Sequence, residues 1–243
     1  MVQKPIIYQI LRRAGIINTR FEAVRLIQEG AVKANGKTIR RVDYQVDPKK
    51  RTITVDGRVI STAAVPKAYF MLNKPEGFIT AKKMINGKRH VMELFHEPEQ
   101  VMNSLFPVGR LDYNTTGLLL VTNDGNFGYQ LIGPDSHVEK EYLVEVTPQL
   151  TEEKLKKIRE GMVIPLKTEK YKTKPAKIVL DRVDRQKGVY RIMLQEGKRR
   201  QIRLMMDMLE CRVLRLHRIR LGKLQLGDLP LGKYRKVRRD EII

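Results

Sequence analysis

This chain has one cysteine, four histidines, no long apolar run and few acidic groups for its basic ones. The single cysteine, Cys211, excludes an intrachain disulfide framework. It sits among long apolar side chains, where an inert thiol is expected. The histidines and the cysteine show no metal-ligand spacing, so no zinc site is expected. No apolar stretch reaches transmembrane length. The opening residues MVQKPIIYQILRR lack the apolar region and small-residue cleavage site of a secretory signal, so a reducing cytoplasm is the expected compartment. There is no Walker A sequence and no GxGxxG fingerprint. A GxSxG nucleophile elbow is missing too. The acidic residues are scattered, with no paired-carboxylate metal site in view. An enzyme built from this chain is therefore expected to use neither a metal nor a nucleotide cofactor.

What is present in excess is positive charge. Lys and Arg number 48 against 27 Asp and Glu, a formal +21 over 243 residues. That balance favours a polyanionic partner and salt-dependent binding. A nucleic acid is favoured over an anionic membrane, and no membrane partner is expected. With 42% hydrophobic residues the chain can build real cores, and its pattern favours two domains.

Residues 1–62 read as one compact unit. Pro5 suits the first turn of a helix running through Leu11, and Gly15 falls where a helix cap would lie. Thr19 and Glu22 form a capping box ahead of a helix whose apolar face is Ala23, Val24 and Ile27; Gly30 ends it. Asn35-Gly36 and Asp56-Gly57 read as tight turns between short strands. The unit carries 13 basic against 5 acidic residues, and Arg12, Arg13, Arg20 and Arg25 cluster on the two helices. Any one of them taken alone is most often a solvated surface charge. Together with Lys33 they read as a phosphate-contacting face.

Residues 61–67 read as a linker, and a second domain is expected over 67–243. Strands are expected at 68–72, 141–146, 176–183 and 188–195, helices at 151–160 and 199–209, and a hairpin at 218–224. The mixture of strands with few regular helices argues for an α+β architecture.

Chemistry is concentrated in residues 109–125, GRLDYNTTGLLLVTNDG. Asp112 precedes a polar turn and then a buried-strand run, Leu118 to Val121. This order holds one carboxylate at the mouth of a packed sheet. A lone aspartate in such a place is most often a turn or cap residue. In a chain without metal or cofactor signals it is also the leading nucleophile. Arg110 stands two positions upstream, and Thr115 and Thr116 can tie down the turn through their hydroxyls.

The segment RRAGIINTRFEAVRLIQEGAVKANG resembles the S4 RNA-binding domain in order and spacing. The 109–125 segment resembles the catalytic motif of RNA pseudouridine synthases, in the branch that modifies ribosomal RNA and carries an N-terminal S4 domain. The likeness spans nearly the whole chain, through LNKPEGFIT at 72–80, FPVGRLD at 106–112, EKEYLVEV at 139–146 and EGKRRQIR at 196–203. It implies an S4-like domain followed by a mainly antiparallel-sheet catalytic domain. It places Asp112 at the family's essential aspartate and Tyr142 at the tyrosine that stacks on the flipped base. It places Arg203 at the basic position that pairs with the aspartate. Leu118 and Leu119 are expected to frame the pocket floor, and Lys198, Arg199 and Arg200 to contact RNA. Two departures are visible: Arg203 is followed by Leu204 and Met205 where a second basic residue is common, and Gly133 stands where histidine is frequent.

The resemblance implies conversion of a uridine in structured ribosomal RNA, of the large subunit, to pseudouridine by a monomer. The target nucleotide must leave its stack to be reached. Asp112 would either add to C1′ or begin a glycal route through C2′. The competing reading is a non-catalytic RNA-binding or ribosome-assembly protein. Basicity and the S4-like unit suit it equally, but the joint presence of Asp112, Tyr142 and Arg203 does not.

Overall fold

The structure is a computed structural model describing residues 4–17, 19–60 and 65–243. Residues 61–64 of the expected linker lie outside the described residues. The chain divides into two compact units, one of Met1–Lys67 with His96–Leu105, the other of Ala68–Phe95 with Phe106–Ile243.

In the first unit, helices α1 (Ile7–Arg13) and α2 (Arg20–Gln28) accompany a small antiparallel sheet. Its strands are β1 (Val32–Ala34), β2 (Lys37–Thr38), β3 (Ile53–Val55) and β4 (Arg58–Val59), in the order β2-β1-β3-β4. Local sequence explains the connections. Asn35 and Gly36 take φ of 46° and 78°, and Asp56 and Gly57 take 48° and 77°. Both pairs adopt the left-handed turn that matches strand twist. The Thr19 hydroxyl accepts a hydrogen bond from the Glu22 N–H at 3.2 Å, capping α2. Helix α1 begins two residues beyond Pro5, whose carbonyl accepts from the Val46 N–H at 3.0 Å instead of opening the helix. Ile7, Ile10, Leu11, Ala23, Ile27, Val32, Ile39, Val46 and Ile53 close the core. Helix α3 (Glu99–Ser104) joins this unit. At Gly15 (φ +75°) an added Cβ would lie 2.2 Å from that of Asn103, so both backbone conformation and space require glycine.

The second unit is built on one large sheet. Its strands are β5 (Tyr69–Lys74), β6 (Phe106–Val108), β7 (Thr116–Thr122) and β8 (Lys140–Thr147). A separate pair, β9 (Val163–Pro165) with β10 (Lys170–Lys172), precedes β11 (Lys177–Asp184) and β12 (Lys187–Leu194). Then come β13 (Arg212–Leu221), β14 (Leu224–Gln225) and β15 (Tyr234–Lys236). Among the described residues the order is β11-β12-β8-β13-β7-β5-β15, with β14 on β13 and β6 on β7. These pairings are antiparallel except β13 with β7, where His217 and Arg218 lie beside Thr116 and Gly117. Helices α4 (Gly125–Ile132), α5 (Glu152–Glu160) and α6 (Gln201–Met208) complete the unit.

Two cores hold it together. Val144, Val146, Ile158, Ile164, Ile192, Met205 and Met206 form one beneath β8 and β12. Met71, Leu118, Leu120, Phe127, Leu131 and Leu221 form the other around β7. Each fully buried leucine contributes roughly 1.5–3 kcal/mol of transfer free energy. Strand β7 is buried on both faces, which is why its sequence reads as a continuous apolar run rather than an alternation.

Helix α4 is not legible in the sequence. GNFGYQLI has two glycines and buries only Phe127, Gly128 and Leu131, a narrow face. Its start is set by the Asp124 carboxylate, which accepts from the Phe127 N–H at 3.3 Å. Strand β13 also begins earlier than the expected hairpin at 218–224. Irregularities between Val213 and Arg215, and between Arg218 and Arg220, break its alternation and hide the strand from a period-two reading.

Candidate active site

Asp112 lies on the turn between β6 and β7. Its carbonyl accepts from the Thr115 N–H at 3.1 Å, closing the turn. The backbone on both sides is clamped by the segment after β5. The Thr80 hydroxyl donates to the Leu111 carbonyl at 2.8 Å and accepts from the Leu111 N–H at 3.1 Å. The Gly77 N–H donates to the Tyr113 carbonyl at 3.2 Å. The Lys74 ammonium donates to the carbonyls of Pro75 (3.0 Å), Tyr113 (3.3 Å) and Thr115 (2.9 Å). The LNKPEGFIT motif thus acts as the jig that holds the aspartate's turn.

Lys74 is wholly buried. Burial pulls its pKa down to about 8, against the opposing pull of Glu76 and Asp112. It remains mostly protonated at neutral pH. Sequence reasoning misses this role, because a lysine ending an apolar strand is most often a snorkelling surface residue.

Arg203, on α6, faces Asp112: its Nε lies 4.0 Å from Oδ2, and the aspartate side chain is 34% exposed. This is an ion pair at long range rather than a hydrogen-bonded fork. The guanidinium spends Nη2 on the Asn114 carbonyl at 3.0 Å and the Thr115 hydroxyl at 3.4 Å. Its buried Nε–H has no hydrogen-bond partner. Burial lowers the Arg203 pKa while Asp112 opposes the shift. An arginine tolerates this and stays charged. The arginine therefore both braces the aspartate's turn and presents a positive field to its carboxylate.

A cleft of about 960 Å³ opens over this pair. Asp112, Arg110, Tyr142, Lys140, Arg218, Glu196 and the exposed Lys198, Arg199 and Arg200 all line it. Tyr142 is half-buried on β8, two residues after Lys140 and hence on the same face. The expectation that Leu118 and Leu119 frame the pocket is corrected here. Both are fully buried, neither lines the cleft, and Leu118 belongs to the core around β7. The Thr116 hydroxyl is 2.7 Å from His217 Nδ1 at the β13–β7 junction. Burial lowers the His217 pKa, favouring the neutral ring.

Gly117 explains how β13 reaches the site. Its φ is +103°, and an added Cβ would stand 2.2 Å from the Arg218 carbonyl oxygen. Only glycine lets the two backbones approach this closely. The approach brings the Arg218 Nε to donate to the Leu118 carbonyl at 2.6 Å. Lys140 is detectable by its phase with Tyr142, Val144 and Val146; Arg218 is concealed by the irregularity after it.

In the first unit, Arg12, Arg13, Arg20, Arg25 and Lys33 are all exposed. Arg25 meets Glu29 at 3.7 Å, a solvated helical pair worth about 0.3–0.5 kcal/mol. Among the described residues no cluster of three or more His, Cys, Asp or Glu is placed to hold a metal ion. No helix of the described residues is long and apolar enough to cross a membrane.

An aspartate facing an arginine, in a cleft lined with further cations, suits chemistry on a polyanion. The sequence pattern of the RNA pseudouridylate synthase family matches residues 68–208, and that of the S4 domain matches residues 8–52. The chain belongs to the RNA pseudouridine synthase family, with an S4 RNA-binding domain ahead of its catalytic domain. It is 34% identical over 212 residues to the ribosomal large subunit pseudouridine synthase B of Bacillus subtilis, covering 86% of this chain and 82% of that one. It is 32% identical over 200 residues to the ribosomal small subunit pseudouridine synthase A of Yersinia pestis, covering 82% and 80%. A crystal structure described as a pseudouridylate synthase matches at 29% identity with a TM-score of 0.67, covering 98% of both chains.

Proposed function

We propose that this synthase isomerises one uridine of large-subunit ribosomal RNA, with Asp112 as the catalytic carboxylate. The observation that carries the reading is the clamped Asp112 turn beneath the Arg203 guanidinium, opening into a cationic cleft. The reaction breaks the N1–C1′ bond, turns the uracil in place and joins C5 to C1′. The proton leaving C5 is balanced by the one N1 gains. Arg203 faces the carboxylate and braces the turn that aims it. The carboxylate either attacks C1′ or removes a C2′ proton. Tyr142 offers its ring to the flipped base, and Arg110 lines the same cleft. The cleft retains the detached uracil until it rejoins the sugar.

The arginine face of the S4 domain supplies affinity and aim by adding a second RNA contact on the same chain. Relatives of both ribosomal subunits stand at similar identity, 34% and 32%. The large subunit is favoured because a large-subunit synthase is among the stronger matches. A cytoplasmic monomer is part of the same proposal. The test is incubation of purified protein with unmodified ribosomal RNA transcripts, followed by mapping of carbon-linked uridine. Wild type should produce one such position, and Asp112→Asn should reduce the rate by at least ~10⁴-fold. Turnover by pure Asp112→Asn protein would remove the aspartate from the mechanism.

A further inference from the structure

We infer that Lys140 and Arg218 form a phosphate seat in the wall of the cleft, taking the phosphodiester of the nucleotide whose base reaches Tyr142. The inference rests on the uridine reading above but is carried by different residues. Lys140 is 8% exposed and Arg218 4% exposed, and both line the cleft. Neither forms an ion pair among the described residues. Arg218 commits Nε to the Leu118 carbonyl, and its buried Nη2 has no hydrogen-bond partner. Leaving a buried guanidinium nitrogen unmatched is costly unless a ligand completes it.

The carboxylate whose field reaches Lys140, Glu196, is already engaged. Glu196 Oε2 accepts from the Tyr171 hydroxyl at 2.6 Å. Its Oε1 accepts from the Lys174 N–H at 2.9 Å and from the Gln201 side-chain amide at 2.6 Å. Its field supports the Lys140 charge, yet burial and the neighbouring Arg218 and Lys174 pull the Lys140 pKa down. Two buried cations thus share one wall of the cleft, and neither is in an ion pair among the described residues.

Strand geometry shows that this placement is built. Arg218 is the register partner of Tyr142, whereas Arg220 is the partner of Glu141. The extra residue between them, Ile219, sends the two arginines to opposite faces. Arg220 goes to Glu139 and Glu141, at 2.6 and 2.7 Å, where its charge is fully paired. Arg218 goes to the cleft, where it is not. An uncharged uracil needs no pair of cations, but a phosphodiester carries a permanent negative charge and four oxygens that suit a guanidinium and an ammonium. Desolvated cations act at short range, so this seat would read the phosphate joined to the target nucleoside. The exposed Lys198, Arg199 and Arg200 would follow the more distant backbone.

The experiment is calorimetric titration of the full chain with uridine, uridine 5′-monophosphate and inorganic phosphate, using wild type, Lys140→Met and Lys187→Met. Lys187 pairs with Glu145 on the opposite face and serves as the charge-matched control. Wild type and Lys187→Met should bind the monophosphate about 10-fold more tightly than uridine. Lys140→Met should keep the uridine affinity and lose that advantage. Arg218→Lys, which keeps the charge but not the fork, should lose part of it. An advantage that survives in Lys140→Met, or that falls equally in Lys187→Met, would overturn the seat. So would wild type without any phosphate preference. Phosphate binding that depends on Lys140 in a protein with no affinity for uridine would uphold the seat and remove the uridine reading instead.

Discussion

Arg12, Arg13, Arg20 and Arg25 stand exposed on two short helices, whereas Lys74, Lys140, Arg203 and Arg218 are more than nine-tenths buried around the cleft. The two sets carry the same charge and do different work. An exposed arginine keeps its hydration, moves freely and acts through a field that salt screens within about 8–10 Å. A buried cation has lost its water and must be met by protein or by ligand. Lys74 is met completely, by three backbone carbonyls. Arg203 and Arg218 are met in part, each with one buried nitrogen left over. On the proposed function, burial and pairing, rather than charge, set apart the cations that brace the site from the exposed ones that would steer RNA.

The largest expected break in this comparison comes from Lys74. Lys74→Met removes the ammonium donor from the Pro75, Tyr113 and Thr115 carbonyls, leaving Tyr113 only its bond from the Gly77 N–H, and loosens the turn that carries Asp112. Stability should fall by on the order of 3 kcal/mol in a urea titration, and turnover by roughly 100-fold or more at temperatures where the variant remains folded. Native stability with native turnover would show that the jig is dispensable.

Replacing the four exposed arginines together by glutamine should leave the urea midpoint almost unchanged and weaken RNA binding. The slope of log affinity against log salt should shrink by about 0.7–0.9 for each RNA phosphate that is no longer neutralised. A single replacement should cost only a few-fold. An unchanged salt slope in the quadruple variant would end the assignment of this face to RNA.

How much is legible in the chain depends on whether the signal is local. Asn-Gly and Asp-Gly turns, the Thr19 cap and the glycine stops are local chemistry, and the structure reproduces them. The apolar run at 118–121 marks a buried strand and wrongly suggests a pocket floor. Sequence reveals that a strand is buried, not which neighbours cover its faces. Asp112, Tyr142 and Arg203 are found through family resemblance; Asp112 and Tyr142 line the cleft, and Arg203 faces Asp112 from α6. Lys74 and Arg218 depend on contacts between distant segments, 41 and 100 residues apart at Thr115 and Leu118, which no periodicity announces.

The smallest effect concerns His217. Its folded pKa is lowered by burial, whereas the unfolded chain titrates near the ordinary 6.5. Below pH 6.5 the unfolded state takes up the proton first, so stability is lost as pH falls from there toward the folded value. The slope from this one group is at most about 1.4 kcal/mol per pH unit. Wild type should lose stability more steeply than His217→Gln over that interval. Equal slopes would show that the ring is not held neutral at the strand junction.

The most direct measurement is a pseudouridine map of total RNA from cells lacking this protein, rescued with wild type or with Asp112→Asn. One position in large-subunit ribosomal RNA should be missing, restored by wild type and not by the variant. A map identical in all three strains, with both proteins expressed, would contradict the assignment and return the chain to a role in RNA binding alone.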